Sequence, residues 1–426
     1  MQPSVKTINL SEIIFDEAIY PRHDHDPALV QRYAEVIEEI EAAQKYIAIA
    51  GDYKLIDGKH RWLAYQKRYD GEDREIQVLV YPVTAPHDQL ALAAELNSDH
   101  GWQLSLADKQ EAAKTLYAYG LSYDTIAAKL KVGKSKISEW LARTVKDNKE
   151  RRDRKIFEMW LACHTQEEIA EVGACDQATV ARITDGFMQT VLENQSHKAV
   201  ADHATDFEVP LYNIWKQQVK SEGPSHFGNS EVRWVDNLLY LYTKPFDIVI
   251  DPFAGSGSTI DICKKRFRRY WVSDRKPIPE RAHQIREHDL INGPPSLPRW
   301  QDVKLVYLDP PYWKQAEGKY SSDPTDLANM PLKQFTETLA AIIHGFAKKL
   351  KPRAMIALIL RPTQWQAPER EYTDHVADMI RAIKLPIDMR VQCPYESQQC
   401  GAEMVEWAKQ NRKVLVLSRE LVIWRV

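Results

Sequence analysis

The sequence is poor in the features that mark secreted, membrane-spanning and metal-binding proteins. Its 426 residues contain five scattered cysteines, an odd number without the spacing of zinc ligands or of a disulfide framework. It has no apolar run of about 18 residues, and its N-terminus lacks the charged-then-apolar pattern of a signal peptide. These absences predict a cytoplasmic protein without a metal site. The length predicts roughly two to four domains.

Positive charge is concentrated in one part of a nearly neutral chain. The net charge is −3, yet residues 129–160 contain eleven Lys and Arg against five Asp and Glu. Such a local excess suits contact with nucleic-acid phosphates, although a solvated helical surface would show the same charge.

Residues 103–190 show helical patterns throughout and contain two helix-turn-helix patterns. In the first, residues 122–141, Val132-Gly133 forms the turn and Ser135 caps the second helix. Residues 165–183 form the second. An all-α packing module that touches no ligand is the alternative. The side chains expected to face phosphates and base edges are Lys134, Ser135, Lys136 and Ser138 in the first pattern, and Gln177, Thr179 and Arg182 in the second.

From residue 207 onward, short apolar runs alternate with helical patterns, which predicts a parallel, doubly wound α/β sheet. The predicted strands are 248–250, 269–272, 305–308, 354–360, 413–417 and 421–426, and the predicted helices are 232–242, 259–266, 332–350 and 374–383. The last two strands are expected to form an antiparallel hairpin that turns at residues 418–420.

A glycine-rich corner follows the first of these strands. Gly255 and Gly257 would let the backbone turn tightly and approach a ligand, and the next helix would begin there with free amide groups. Asp274 stands 23 residues after Asp251, near the distance at which an acid binds ribose hydroxyls in such sheets. The corner therefore predicts an adenosine-type cofactor, and by itself it leaves dinucleotides possible.

A second polar corner, Asp-Pro-Pro-Tyr, follows the apolar run 305–308. Pro310 and Pro311 fix the backbone and remove two amide donors, so acceptors remain, led by the Asp309 carboxylate. Tyr312 adds a flat face for stacking. This corner suits a planar group with an amine that gains positive charge while it attacks a methyl group. A rigid strand exit without a ligand is the alternative.

Together the two corners resemble the amino-group DNA methyltransferases, which use S-adenosylmethionine to methylate the exocyclic amine of adenine or cytosine. The resemblance covers 207–426 and implies a Rossmann-like methyltransferase fold. An aspartate at the head of the second motif is typical of the adenine enzymes. The resemblance implies a catalytic motif of Asp309, Pro310, Pro311 and Tyr312, and cofactor contacts from Asn229, Ser230, Asp251, Pro252, Phe253, Ala254, Gly255, Ser256, Gly257, Asp274 and Asp289.

The order and spacing of the two motifs leave no room between them for an inserted target-recognition domain. Residues 313–330 and 361–365 are instead expected to form loops over the substrate. Target recognition is therefore expected to fall to the helices of residues 103–190.

The N-terminal stretch Leu-Ile-Asp-Gly-Lys-His-Arg, residues 55–61, resembles the ParB/sulfiredoxin-like domain. The resemblance implies an anion site at a helix start, formed by Lys59, His60 and Arg61, where a nucleotide could bind. A structural turn with surface charges is the alternative. The Arg-His-Asp-His-Asp run at 22–26 is expected to be a solvated charge cluster and not a metal site.

These patterns predict an α+β ParB/sulfiredoxin-like domain at 1–102, a helical DNA-binding domain at 103–190, a linker at 191–206 and the methyltransferase domain at 207–426. The expected enzyme flips a base out of duplex DNA, belongs to a bacterium, a phage or a mobile element, and could act as a homodimer. Three alternatives stay open: N4-cytosine methylation, RNA methylation, and a ParB-like repressor or partition factor whose methyltransferase domain is not catalytic.

Overall fold

The computed structural model describes residues 2–22, 24–70, 72–99, 104–195, 207–216, 231–297, 299–318, 321–364, 372–395 and 401–426. The chain divides into two compact units, Met1–Arg151 and Arg152–Val426. No helix in these described ranges combines the length and the apolar character needed to cross a membrane. The predicted domain limits at 102, 190 and 206 are not decided by this division and stay predictions.

The first unit begins with a four-stranded mixed sheet in the order β1-β4-β2-β3. The outer pairs β1–β4 and β2–β3 are antiparallel, and β2 and β4 are parallel. The strands are β1 (Ser4–Asn9), β2 (Ile47–Ala50), β3 (Leu55–Asp57) and β4 (Glu75–Tyr81), and the helices that accompany them are α1 (Pro27–Glu35), α2 (Ile37–Ala42), α3 (Lys59–Tyr69) and α4 (Pro86–Asp99).

The predicted helical segment is helical over its described residues, and one detail of the prediction was wrong. The helix α7 begins at Lys134, so Ser135 lies inside its first turn and does not cap it. The residue that turns the chain before α7 is Lys131, which has a φ of 52°. The helices are α5 (Leu106–Ala118), α6 (Tyr123–Leu130), α7 (Lys134–Leu161), α8 (Gln166–Val172) and α9 (Gln177–Gln195).

The second unit contains the predicted parallel-rich α/β sheet. Its seven strands have the order β12-β13-β9-β8-β5-β6-β7, in which β9, β8, β5, β6 and β7 run parallel and β13 runs antiparallel to β9 and β12. The strands are β5 (Ile248–Asp251), β6 (Arg269–Asp274), β7 (Arg286–Glu287), β8 (Val303–Leu308), β9 (Met355–Leu360), β12 (Ile387–Pro394) and β13 (Ser418–Arg425), and β10 (Thr363–Gln364) pairs separately with β11 (Tyr372–Thr373). The helices are α10 (Val232–Tyr242), α11 (Ser258–Lys265), α12 (Leu332–Lys349), α13 (His375–Ala382) and α14 (Ala402–Gln410).

The predicted C-terminal hairpin was wrong in its partner and its turn. Residues 413–417 form no strand, and β13 continues without a turn through residues 418–420. Its antiparallel partners are β9 and β12, and the sequence patterns did not reveal β12. The first four residues of β12 are all exposed, so this edge strand lacks the apolar run that marks the central strands.

Apolar layers on both faces of the sheet fix its central strands. Leu339 and Ile343 of α12 pack on one face, and Leu238 of α10 and Ile260 of α11 pack on the other. Since β8, β5 and β6 are neighbours and parallel, their carboxyl ends lie side by side at one edge of the sheet. The polar corners predicted from the sequence therefore meet at that edge.

Candidate active site

Asp251 ends β5 and holds the glycine-rich corner together. It is 2% exposed. Its carboxylate accepts hydrogen bonds from the Phe253 amide at 3.0 Å and from the Thr259 hydroxyl at 2.6 Å. Burial raises the pKa of Asp251 to about 7, although both hydrogen bonds act in the opposite direction. The side chain thus ties the strand to the first turn of α11.

The two glycines of the corner differ in their surroundings. Gly255 and Gly257 have φ values of 51° and 78°, in the left-handed region that favours glycine. The Gly255 amide donates to Asp274 Oδ2 at 3.1 Å, which joins the corner to the end of β6. A Cβ on Gly257 would lie 2.9 Å from Arg281 Nη1, so Gly257 faces a side chain of its own unit.

A cavity of about 340 Å³ opens at these strand ends and brings most of the predicted site together. Gly257, Pro310 and Tyr312 belong to the predicted motifs but are not among the residues that line it. The predicted residues that do line it are Asp251, Pro252, Phe253, Ala254, Gly255, Ser256, Asp274, Asp289, Asp309 and Pro311.

Two tyrosine hydroxyls hold the Asp309 carboxylate. The Tyr312 hydroxyl donates to Oδ1 at 3.1 Å, and the Tyr307 hydroxyl lies 3.4 Å from Oδ2. Burial and the neighbouring Asp309 charge raise the pKa of both tyrosines well above the usual value, so both stay protonated donors. Sequence reasoning missed Tyr307, although its position two residues before Asp309 places both side chains on the same side of the strand.

A buried cation, Arg419, lies close to Tyr312, and no local sequence pattern predicted it. Arg419, from β13, is 4% exposed. Its guanidinium lies 4.2 Å from the Trp234 ring centroid and 4.3 Å from that of Tyr395. The Arg419 charge lowers the pKa of Tyr312, against the larger effects of burial and of the Asp309 charge, which raise it.

The predicted acids on the cofactor side are already engaged by their own loops. Asp274 Oδ1 accepts from the Lys276 amide at 3.0 Å, and Asp289 Oδ1 accepts from the Ile291 amide at 3.0 Å. Arg275, which sequence reasoning missed, lies 3.2 Å from Asp289 Oδ2 through its Nε. These contacts orient both carboxylates at the cavity wall.

The two predicted substrate loops lie near the cavity in their described parts. The cavity lining includes Ser321, Thr325, Asp326, Leu327 and Met330 from the 313–330 loop. The Thr363 hydroxyl donates to the Trp313 carbonyl at 3.0 Å, so the second loop supports the first. Trp365 lies outside the described residues, as do the predicted cofactor contacts Asn229 and Ser230.

The predicted N-terminal anion residues stand at the start of α3, and each has a partner within its own unit. Lys59 Nζ lies 4.6 Å from the Phe15 ring centroid, His60 Nε2 accepts from the Asp26 amide at 2.9 Å, and Arg61 pairs with Asp57 at 2.8 Å. Burial lowers the pKa of His60 to about 4, so this ring is neutral at pH 7.

Within the 22–26 run, His23 lies outside the described residues. The ranges described above contain no group of three or more His, Cys, Asp or Glu side chains arranged to hold a metal ion.

The predicted DNA-facing residues lie at the starts of α7 and α9. Two of the lysines pair with acids at the surface, Lys134 with Asp124 at 2.8 Å and Lys136 with Glu139 at 3.3 Å. Exposed pairs of this kind stabilise little, so either lysine can exchange its partner for a phosphate. Lys134, Ser135, Lys136, Ser138, Gln177 and Arg182 are exposed, and Thr179 is half-buried.

The cavity fits the predicted S-adenosylmethionine. Its volume lies in the usual range for small-molecule sites. Asp274 and Asp289 supply acceptors for hydroxyl and amine groups, and Phe253 supplies an aromatic surface. Carboxylates around the cavity also suit a ligand that carries positive charge.

Comparison with known proteins places the chain in a family. The solved structures that it resembles include the following three, all at low identity. ParB from Caulobacter crescentus complexed with CTP-gamma-S is 14% identical over 32% of this chain and 77% of that chain, with a TM-score of 0.20. TrmN from Thermus thermophilus is 15% identical over 47% and 50% of the two chains (TM-score 0.30), and precorrin-6y C5,15-methyltransferase from Geobacter metallireducens is 12% identical over 51% and 98% (TM-score 0.27).

No curated protein sequence gives a significant match. The N6/N4 methyltransferase family model, described as DNA methylase, matches residues 46–277, which include Asp251 and Asp274 and end before Asp309. Because this match covers more than half of the sequence, the chain belongs to the N6/N4 DNA methylase family, whose methyl donor is S-adenosylmethionine.

Proposed function

We propose that the chain methylates N6 of an adenine flipped out of duplex DNA, and that its helix-turn-helix segments help to choose the target. The observation that carries the proposal is the position of Asp309. It lines the same cavity as Asp251 and Asp274, at the ends of three neighbouring parallel strands. A cofactor held by the first two corners would therefore lie beside the amine acceptor.

The Asp309 corner supports an amine because it offers acceptors and few competing donors. Pro310 and Pro311 have no amide hydrogen, which leaves the carboxylate and the Pro310 carbonyl to accept the amine N–H groups. When bound, S-adenosylmethionine supplies an electrophilic methyl group to the attacking nitrogen. Asp309 stabilises the positive charge that the nitrogen gains during the attack.

Tyr312 has two roles in this proposal. Its ring stacks on the flipped base, as aromatic side chains do in many nucleic-acid sites. Its hydroxyl, 3.1 Å from Asp309 Oδ1, holds the carboxylate in the orientation that accepts the amine. A carboxylate oxygen has more than one lone pair, so Asp309 can accept from Tyr312 and from the base together.

The cofactor roles follow the positions of the cavity residues. We assign Asp274 to the ribose hydroxyls, Asp289 to the adenine amine and Phe253 to the adenine ring of the cofactor. Asp251 acts through the backbone, because its carboxylate is taken up by Phe253 and Thr259. Asn229 and Ser230 are retained as proposed contacts of the methionine carboxylate.

Target choice is assigned to the starts of α7 and α9. Lys134 and Lys136 are exposed at the start of α7, and Arg182 is exposed on α9. Helix starts of this kind enter the major groove in helix-turn-helix proteins. The proposal retains the domain limits predicted from the sequence, with the helical DNA-binding domain at 103–190.

Nucleoside mass spectrometry of methylated DNA tests both parts of the proposal. The full-length protein is incubated with S-adenosylmethionine and with plasmid DNA from a host that lacks DNA methyltransferases. N6-methyladenine is the expected product. N4-methylcytosine would overturn the assignment of the base, and a product found in RNA but not in DNA would overturn the substrate.

Sequencing the methylated positions tests the role of the helices. Lys136→Gln and Arg182→Gln are compared with Lys333→Gln, a matched change of an exposed lysine on α12. We expect the first two variants to methylate fewer sites or a broader set of sites, and Lys333→Gln to match the wild type. Identical site patterns in all three variants would contradict target choice by the helices.

A further inference from the structure

Arg275 connects the two walls of the cavity. It follows Asp274 directly and lies on the proposed cofactor wall. Its Nε is 3.2 Å from Asp289 Oδ2, on the same wall. Its Nη2 reaches the other wall, 2.8 Å from Asp323 Oδ2 and 2.9 Å from the Thr325 hydroxyl.

Hydrogen bonds within each wall hold the residues that the Arg275 guanidinium joins. On the cofactor wall, the Asp274 carboxylate accepts from the Lys276 amide, and its carbonyl accepts from the His288 amide at 3.0 Å. On the opposite wall, the Asn329 side-chain amide donates to the Ser321 carbonyl at 2.9 Å and to the Asp323 carbonyl at 2.8 Å. These bonds tie residues 321–323 to the end of the loop, where Leu327 and Met330 are buried in the core.

The Arg275 guanidinium lies between carboxylates, so its loss would leave these negative charges close together without a cation. Asp289 and Asp326 line the cavity, and Asp323 lies beside the lining residue Thr325, which its carboxylate accepts from. Like charges on facing surfaces repel each other in a partly screened cleft. Arg275 converts that repulsion into two attractions, and it also aims the Asp289 carboxylate at the cavity.

We propose that Arg275 is a positioning residue that holds the 321–330 loop against the cofactor wall and so tightens binding of the cofactor. This inference rests on the proposed placement of S-adenosylmethionine in the cavity. Arg275 acts through Asp289 and the loop, and no direct contact with the reacting atoms is required of it. Ser321, Thr325 and Asp326 line the cavity and flank Asp323, so displacement of this part of the loop would open one side of the site.

Calorimetric titration of the full-length protein with S-adenosylhomocysteine tests the proposal without any methyl transfer. The variants are Arg275→Gln, Asp323→Asn and the double variant, with Arg275→Lys as a milder change. Arg299→Gln is the matched control, because it removes an exposed ion pair with Asp302 that does not line the cavity. Thermal unfolding shows whether each variant is folded.

We expect either single change to weaken binding by about two- to fivefold, the scale of partly exposed ion pairs. Arg275→Lys should weaken it less. The double variant should bind no more weakly than the weaker single variant, because both changes break the same link. Hydrogen exchange of the amides of 321–330 should accelerate in the same variants, and Arg299→Gln should change neither quantity.

Asp274→Ala separates failure of this inference from failure of the cofactor placement. If Asp274→Ala binds S-adenosylhomocysteine as the wild type does, the placement of the cofactor is wrong. If Asp274→Ala loses binding while Arg275→Gln and Asp323→Asn keep wild-type affinity and wild-type exchange, the placement stands and the role of Arg275 is refuted. Fully additive losses in the double variant would also contradict the link.

Discussion

The Tyr312 hydroxyl and ring can be tested separately. Tyr312→Phe removes the 3.1 Å hydrogen bond to Asp309 and keeps the ring. Hydrogen bonds to charged groups contribute about 1.5–3 kcal/mol, and about 1.4 kcal/mol corresponds to a tenfold change in rate. We therefore expect kcat to fall by about 10- to 100-fold, with little change in affinity for DNA.

Tyr312→Ala also removes the proposed stacking surface. Stacking of a base on an aromatic ring contributes about 1–3 kcal/mol, so affinity for DNA should fall further in this variant than in Tyr312→Phe. Tritium transfer from S-adenosylmethionine to unmethylated plasmid DNA gives kcat, and fluorescence anisotropy gives the affinity. A wild-type kcat in Tyr312→Phe would refute the orienting role of the hydroxyl, and equal DNA affinity in both variants would refute stacking.

Three further predictions concern stability and DNA affinity. Gly257→Ala should lower the free energy of unfolding by about 3 kcal/mol, because the left-handed backbone is strained and the new Cβ crowds Arg281; Gly318→Ala, at a φ of 67° with open space around it, should lose about 1–2 kcal/mol in the same urea denaturation. The pKa of Asp251 is about 7 in the folded protein and 3.8 in the unfolded chain. Between these two pH values, the folded protein holds a proton on Asp251 that the unfolded chain has already released. Stability should therefore fall as pH rises through this window, and Asp251→Asn should flatten that dependence in denaturation series. Lys136→Gln should reduce the slope of log affinity against log salt by about 0.9 in anisotropy titrations with mixed-sequence duplex DNA, if this lysine contacts one phosphate.

Local patterns predicted the strands at the centre of the sheet and the corners that end them. Residues 248–250 and 305–308 are apolar because both faces of these strands are covered, and Asp251 and Asp309 follow because the strand ends are open to a ligand. The helices α10 and α12 were predicted for a similar reason, since each buries one periodic apolar face.

Features built from distant residues could not be predicted in this way. Arg281 donates to the Gly257 carbonyl from 24 positions away, and the charge of Arg419, on β13, acts on the Tyr312 hydroxyl. The role proposed for Arg275 depends on its ion pair with Asp323, which lies 48 positions away in the sequence. None of these pairings leaves a periodicity or a spacing, because the chain places the partners together only through the tertiary fold.

The edge strand of the sheet could not be predicted from the sequence either. The strand β12 is exposed over its first half, so its sequence resembles that of a loop. Residues 413–417 are rich in apolar side chains yet form no strand. The segment that pairs with β13 forms the strand. The β-strand propensity of a segment does not show whether it will find this partner.

The most direct test of the central claim is methyl transfer by Asp309→Asn, measured together with binding of S-adenosylhomocysteine. The change keeps the size of the side chain and removes the charge that the attacking amine requires. We predict a loss of kcat of about 100-fold or more, with cofactor affinity close to wild type, whereas Asp378→Asn on α13 should keep full activity. Full methyl transfer to DNA by Asp309→Asn would contradict the assignment of this cavity as the active site.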